Sequence, residues 1–235
     1  MLSAGAIFLT KNNQVHVEQE VISRDLYYDQ IVLLSYTIQY PQFSSESFQP
    51  AIQRINQFYR EKVIAYQLYF ETKLFRQAME QYQNAIENKY PVMKFEAFVV
   101  YTVTYNENCT ISVYCDSYEF TGGAHGNTLR FSETWNLNCG KQTKLCELFA
   151  NSNYRCDILK MINCQIAEQI KNGTNQYFEN YSELVAQNFN EDNFYLTPQG
   201  VVIYFQEYDI APHSSGLPTF LLPFSTGCAI RPCCR

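Results

Sequence analysis

The chain has 235 residues, 46% of them hydrophobic, and a formal net charge of −6; that is enough for one substantial core or two small ones sharing a surface. The acidic balance argues against nucleic acid, which needs a basic footprint, and no run approaches the ~20 apolar residues of a membrane-spanning helix. The 19 Tyr and 17 Phe set against a single Trp favour β-structure and broad aromatic faces.

In chain order, residues 1–24 read as an N-terminal arm or an edge strand. Residues 1–10 are apolar but lack a basic flank and are short for a signal peptide, so the chain taken literally is cytoplasmic. Residues 31–40 are rich in β-branched and aromatic side chains and read as a strand that Pro41 stops. Ser47 is placed to cap a helix, with Pro50 tolerated in its first turn. Ile52, Ile55, Tyr59, Val63, Tyr66 and Phe70 then recur every three or four residues, and Phe75, Met79, Tyr82 and Ile86 continue the stripe. Without a bend near 71–73 that helix would run roughly 55–60 Å.

Alternation resumes with Phe95, Ala97, Val99, Tyr101, Val103 and Tyr105 on one face. A turn at 106–108 leads into a second strand, where Ile111, Val113 and Cys115 oppose Tyr114, Asp116, Tyr118 and Phe120. A third strand carries Leu129, Phe131, Glu133, Trp135 and Leu137. A second helix is expected over 153–171, stopped by Asn172-Gly173, and a short one over 181–189. A hairpin follows over 194–207, with Pro198 and Gly200 in its turn. Thr219 to Phe224 form an edge strand, and residues 227–235 a loose tail. The predicted fold class is α+β: a mainly antiparallel sheet covered by one long helix and a second, shorter one.

Nine cysteines leave at least one unpaired. Cys109 and Cys115 on one strand, and Cys156 and Cys164 on one helix, are too far apart to bridge. Cys233-Cys234 reads as an exposed thiol pair, and free thiols are the favoured state overall.

Two stretches stand apart: Tyr118-Glu-Phe-Thr-Gly-Gly-Ala-His-Gly-Asn-Thr128 and Tyr208-Asp-Ile-Ala-Pro-His-Ser-Ser-Gly-Leu-Pro218. Gly122, Gly123 and Gly126 are more glycine than a hairpin needs, which suggests a shaped loop with exposed backbone N–H groups. The second stretch supplies Tyr208, Pro212, His213 and Gly216. The two loops are expected to meet, with His125 and His213 bracing backbone or flanking a pocket. His125, His213 and an oxygen from Asp116, Glu119 or Asp209 match no metal spacing. Phosphate loop, dinucleotide fingerprint and nucleophile elbow are all missing, so no cofactor is expected and no catalytic constellation is complete; a cryptic hydrolase using His125 and His213, or a cytoplasmic structural protein with no small ligand, is the alternative reading.

The first stretch resembles the glycine-histidine signature of the PdaC/RsiV-type extracytoplasmic domains. The second, with Pro223-Phe-Ser225, looks like that family's C-terminal signature, and Ile38-Gln-Tyr-Pro-Gln-Phe43 before a helix carrying Ile55-Asn56 is a third match in family order. The resemblance divides the chain into a PdaC-like half over 25–128 and an RsiV-like half over 129–226. It implies a non-catalytic binding or sensing module of the cell envelope. The partner it implies is a peptidoglycan-like glycan or a cationic protein such as lysozyme. It also implies an exported setting, in tension with the literal cytoplasmic reading.

Overall fold

A computed structural model describes residues 15–234; residues 1–14 of the expected arm, the apolar stretch 1–10 among them, lie outside the described residues. Nine strands form two sheets. The larger has six strands in sequential order: β1 (His16–Tyr28), β2 (Ile31–Ser44), β3 (Phe95–Glu107), β4 (Thr110–Phe120), β5 (Asn127–Asn136) and the short β6 (Lys141–Gln142). The smaller holds β7 (Phe194–Thr197), β8 (Gly200–Tyr204) and β9 (Thr219–Pro223). Among the described residues only β2 and β3 run parallel, pairing from Leu34 with Phe95 to Gln39 with Val100; the fold is α+β and mainly antiparallel. β5 pairs with β4 along its length, so the large sheet continues across the expected 128/129 division.

The long helix covers the inner face of the large sheet as α1 (Gln49–Tyr69) and α2 (Phe75–Asn88), joined by a π-helical turn at Phe70–Leu74. Ile52, Ile55, Tyr59, Val63 and Phe70 are buried against Leu34, Ile38, Val99 and Val113. The wide turn falls where a bend was expected. It presents Glu71 to the sheet edge, where its Oε1 accepts from the Tyr36 hydroxyl and, at 3.0 Å, from Arg24. From Leu74 on, Phe75, Met79 and Tyr82 pack half-buried on the core as expected, beside buried Leu74, Ala78 and Ala85, while Ile86, expected to continue the stripe, is 58% exposed.

Four other expectations change. Pro41 does not end β2; it pairs with Gln19 of edge strand β1, past the last residue bonded to β3, so its missing N–H breaks no bond on that side. The helix N-cap is Phe48, without a side-chain cap, rather than Ser47. The turn after β3 centres on Asn108 and Cys109, both left-handed at φ 52° and 55°, so Cys109 is not on a strand with Cys115. The C-terminal segment is tied down: Ala229 is buried and bridges Phe149, Ile230 N–H donates to Leu148 C=O at 2.8 Å, and Cys234 forms a disulfide with Cys109 across 125 positions.

A second core lies between the small sheet, α3 (Tyr154–Lys171) and α4 (Tyr181–Asn188). Ile158, Ile162 and Ile166 of α3 pack with Leu196, Val201, Ile203 and Phe220. Tyr105 joins this second core, not the first, because a register shift between Val103 and Tyr105 turns its side chain to the opposite face. The small sheet's other side, Tyr195, Val202 and Tyr204, packs on Tyr114 of β4. The order of layers is therefore helix, large sheet, small sheet, helix.

Candidate functional site

The two sheets meet along β4 and β5. Arg130 of β5 donates twice to Asp116 of β4, both bonds 2.7 Å, as the strand register, which sets these residues opposite each other, dictates. Its guanidinium lies 3.9 Å from the Tyr114 ring centroid and within 5.9 Å of those of Tyr195 and Tyr204. Planar, weakly hydrated guanidinium suits such stacking. Beside it Ser132 Oγ donates to Phe194 C=O at 2.5 Å, and Leu196 N–H donates to buried Ser112 Oγ at 2.9 Å.

β6 covers only the end of β5, at Trp135 and Asn136. Further along, side chains after β8 occupy the β5 edge as a partner strand would. Gln206 Oε1 accepts from Arg130 N–H at 2.9 Å while its Nε2 donates to Arg130 C=O at 2.7 Å. Glu207 Oε2 accepts from Thr128 N–H at 3.3 Å. An unpaired sheet edge needs such cover, and here it fixes the second loop against the first.

That placement brings the two histidines into contact. The His125 and His213 rings stack with centroids 3.9 Å apart and 17° between planes. His125 Nδ1–H donates to Gly126 C=O at 2.9 Å, which leaves Nε2 of a neutral ring to accept from the Tyr208 hydroxyl at 3.3 Å. His213 Nδ1 lies 3.1 Å from Glu207 Oε2, and the Glu207 side chain is only 8% exposed. The Tyr208 ring lies 5.7 Å from that of His213. Tyr208 is 51% exposed yet has φ 68°, a region a bulky side chain rarely occupies.

The other expected residues divide. Gly126 lies under Tyr118; a Cβ there would come within 2.4 Å of the Tyr118 ring. Pro212 precedes the 3-10 turn His213–Ser215 and accepts from Ser215 N–H at 2.9 Å, and Gly216 closes that turn at φ 64°. Gly122 and Gly123 have φ 90° and 103°, but Gly122 faces Gln81 of α2 and Met93 instead of the second loop. Asp116 is held by Arg130, Glu119 accepts from the Tyr69 hydroxyl at 3.1 Å, and Asp209 accepts from Gln206 N–H at 2.8 Å. Burial raises the pKa of both Glu119 and Asp209. Among the described residues no cluster of three His, Cys, Asp or Glu could hold a metal.

Sequence reasoning missed Gln206, Glu207 and Arg130. The signal available for the first two was their position directly before Tyr208, facing a β5 edge with only two residues of β6 to cover it.

Two family models match successive parts of the chain. Residues 29–128 match the family model described as "Deacetylase PdaC", and residues 147–225 the one described as "Protein of unknown function (DUF3298)". A solved DUF3298 family member from Bacteroides fragilis is similar with a TM-score of 0.69 at 15% identity, covering 92% of this chain and 93% of its own. A DUF3298 family protein from Pseudomonas aeruginosa PAO1 gives 0.57 at 15% identity, covering 93% and 95%. No curated protein matches the sequence. The two models and the two folds together support a PdaC/DUF3298-type domain.

Proposed function

We propose that the chain is a non-catalytic binding or sensing module for a cell-envelope ligand, either a peptidoglycan-like glycan or a cationic protein such as lysozyme. The contact surface is the cluster of Tyr118, His125, Gly126, Tyr208, Pro212, His213 and Gly216, with Gly122 and Gly123 shaping the first loop. The observation that carries this reading is Tyr208: a half-exposed aromatic ring on left-handed backbone, hydrogen-bonded to a stacked histidine pair. Backbone strain held on a rigid frame at the surface marks a site that does more than pack. The resemblance to the RsiV-type signature supports the envelope ligand, and the net charge of −6 suits a cationic partner.

The test is sedimentation with insoluble peptidoglycan and calorimetric titration with lysozyme. Tyr208→Ala and His125→Ala should each weaken binding at least about tenfold, close to 1.4 kcal/mol, with unchanged circular dichroism. Binding of neither partner by the unaltered chain refutes the proposal.

One observation favours a second reading, a cryptic hydrolase using His125 and His213. Glu207 holds His213 Nδ1 as a carboxylate orients a general base. Turnover of a glycan or ester substrate that vanishes in His213→Ala with the fold intact would select it.

A further inference from the structure

A cleft of ≈520 Å³ opens on the other flank of β5 and contains neither histidine. Its volume lies within the ~300–1,000 Å³ of small-ligand sites. One wall is apolar: Leu129 and Phe131 of β5 are 44% and 42% exposed there. Above them Lys62 of α1 places its ammonium 5.7 Å from the Phe131 centroid and 3.3 Å from Glu133 Oε1. The Glu133 side chain is 8% exposed, and its buried Oε2 has no hydrogen-bond partner.

The facing wall comes from the end of α4, the turn after it and the segment after β8, and it is dense in planar polar groups. Some are engaged: Asn188 donates to Asp209 C=O at 2.7 Å, and both arms of Gln206 are held by Arg130. Asp192 and Asn193 also line the cleft, and their side chains have no bonding partner among the described residues. Each offers two polar atoms in one plane, which matches vicinal hydroxyls. The wall's acids outnumber Lys62, which is already paired, and this disfavours phosphate or another anion. A purely apolar ligand would strand the Asp192 and Asn193 groups.

We propose that this cleft binds a short neutral saccharide. The C–H face of one sugar ring rests on Phe131 and Leu129, its hydroxyls reach Asp192 and Asn193, and the Lys62 ammonium donates to a sugar oxygen. The inference shares a ligand class with the function proposed above but not its residues, and each stands without the other.

The experiment is NMR titration of the chain with chitotriose and cellotriose, and with trilysine as a cationic counter-probe. Saturable binding of a trisaccharide at a Kd of about 1 mM, with shifts at Phe131 and Asn193, is expected. Phe131→Ala should weaken it at least tenfold, as should Asp192→Ala, a surface change that leaves the fold undisturbed. The proposal is overturned if neither trisaccharide saturates, if both cleft variants bind like the parent, or if trilysine alone binds. If neither trisaccharide saturates while peptidoglycan or lysozyme binding depends on Tyr208, the cleft is overturned and the loop reading stands. Trisaccharide binding that depends on Phe131, with no response at Tyr208, supports the cleft and leaves the loop reading to its own titrations.

Discussion

Arg130 and His213 each reach from one sheet toward the other, and their surroundings differ in nearly every physical respect. Arg130 is 11% exposed along its side chain and has a bidentate carboxylate under a cover of three tyrosine rings. His213 is 32% exposed along its side chain; it stacks on an exposed imidazole and on a half-exposed tyrosine whose backbone is strained. Charge-assisted bonds with both oxygens of Asp116 engaged, away from water, are strong and directional. A stacked pair of imidazoles at the surface contributes little and can rearrange. The first arrangement holds the layers in register. The second is held by it, which leaves its residues free to be chosen for contact with something else.

The disulfide sets the ceiling for that contrast, because it links the segment after the small sheet to the β3–β4 turn of the large one. Cys109→Ser should lower stability by about 2–5 kcal/mol, given the length of the closed loop, measured by urea denaturation against the oxidised parent. Equal stability of the reduced and oxidised parent would mean that Arg130 and its neighbours suffice without the tether.

Arg130→Ala should cost about 3 kcal/mol, since it leaves Asp116 partly buried without its cation and uncovers the tyrosines. Arg130→Lys should recover only part of that loss, because an ammonium can neither form the fork nor stack flat. A cost below about 1 kcal/mol for Arg130→Ala would place the join elsewhere, at Ser112 and Ser132.

His125→Ala should cost no more than about 1 kcal/mol, because its ring is exposed and its partners can turn to water. The comparison sharpens if the same variant loses ligand. A change that barely moves the melting temperature but abolishes binding separates the two joins by role.

How much of this was legible follows from what each feature needs. The Gly122–Gly126 loop and the His213 turn were visible because glycine-rich, single-histidine stretches demand unusual backbone, and each announces itself locally. The helix stripe was visible through Tyr82 because its three- and four-residue spacing is local. Ile86, in the last turn of α2, was misplaced although Phe75, Met79 and Tyr82 keep the stripe across the π-helical turn. Arg130 was invisible because its environment draws on β4, β5, β7 and β8, whose mutual placement is a tertiary fact. The Cys109–Cys234 pairing depended on two things hidden from local reading: Cys109 sits in a turn instead of a strand, and the C-terminal segment packs on Phe149 and Leu148. Gln206 stood in plain view, but its role as a substitute strand exists only once β5 is known to have a bare edge.

The smallest effect concerns Glu133, an acid near the joins whose burial is not fully compensated. Glu133 is buried, and burial is the largest influence on it, raising its pKa above 4.5; the Lys62 ammonium and the Tyr59 hydroxyl lower it without reversing the direction. The folded chain therefore holds this proton more tightly than the unfolded chain does. Its contribution to stability is complete below pH 4.5 and is lost as pH rises through the folded value. Denaturation midpoints for the parent and for Glu133→Gln, measured from about pH 4 to about pH 7, should show the parent losing ground to the variant as pH increases. Parallel curves would mean that Lys62 compensates the buried Glu133 in full, and the cleft wall would then be as settled as the tyrosine-covered join.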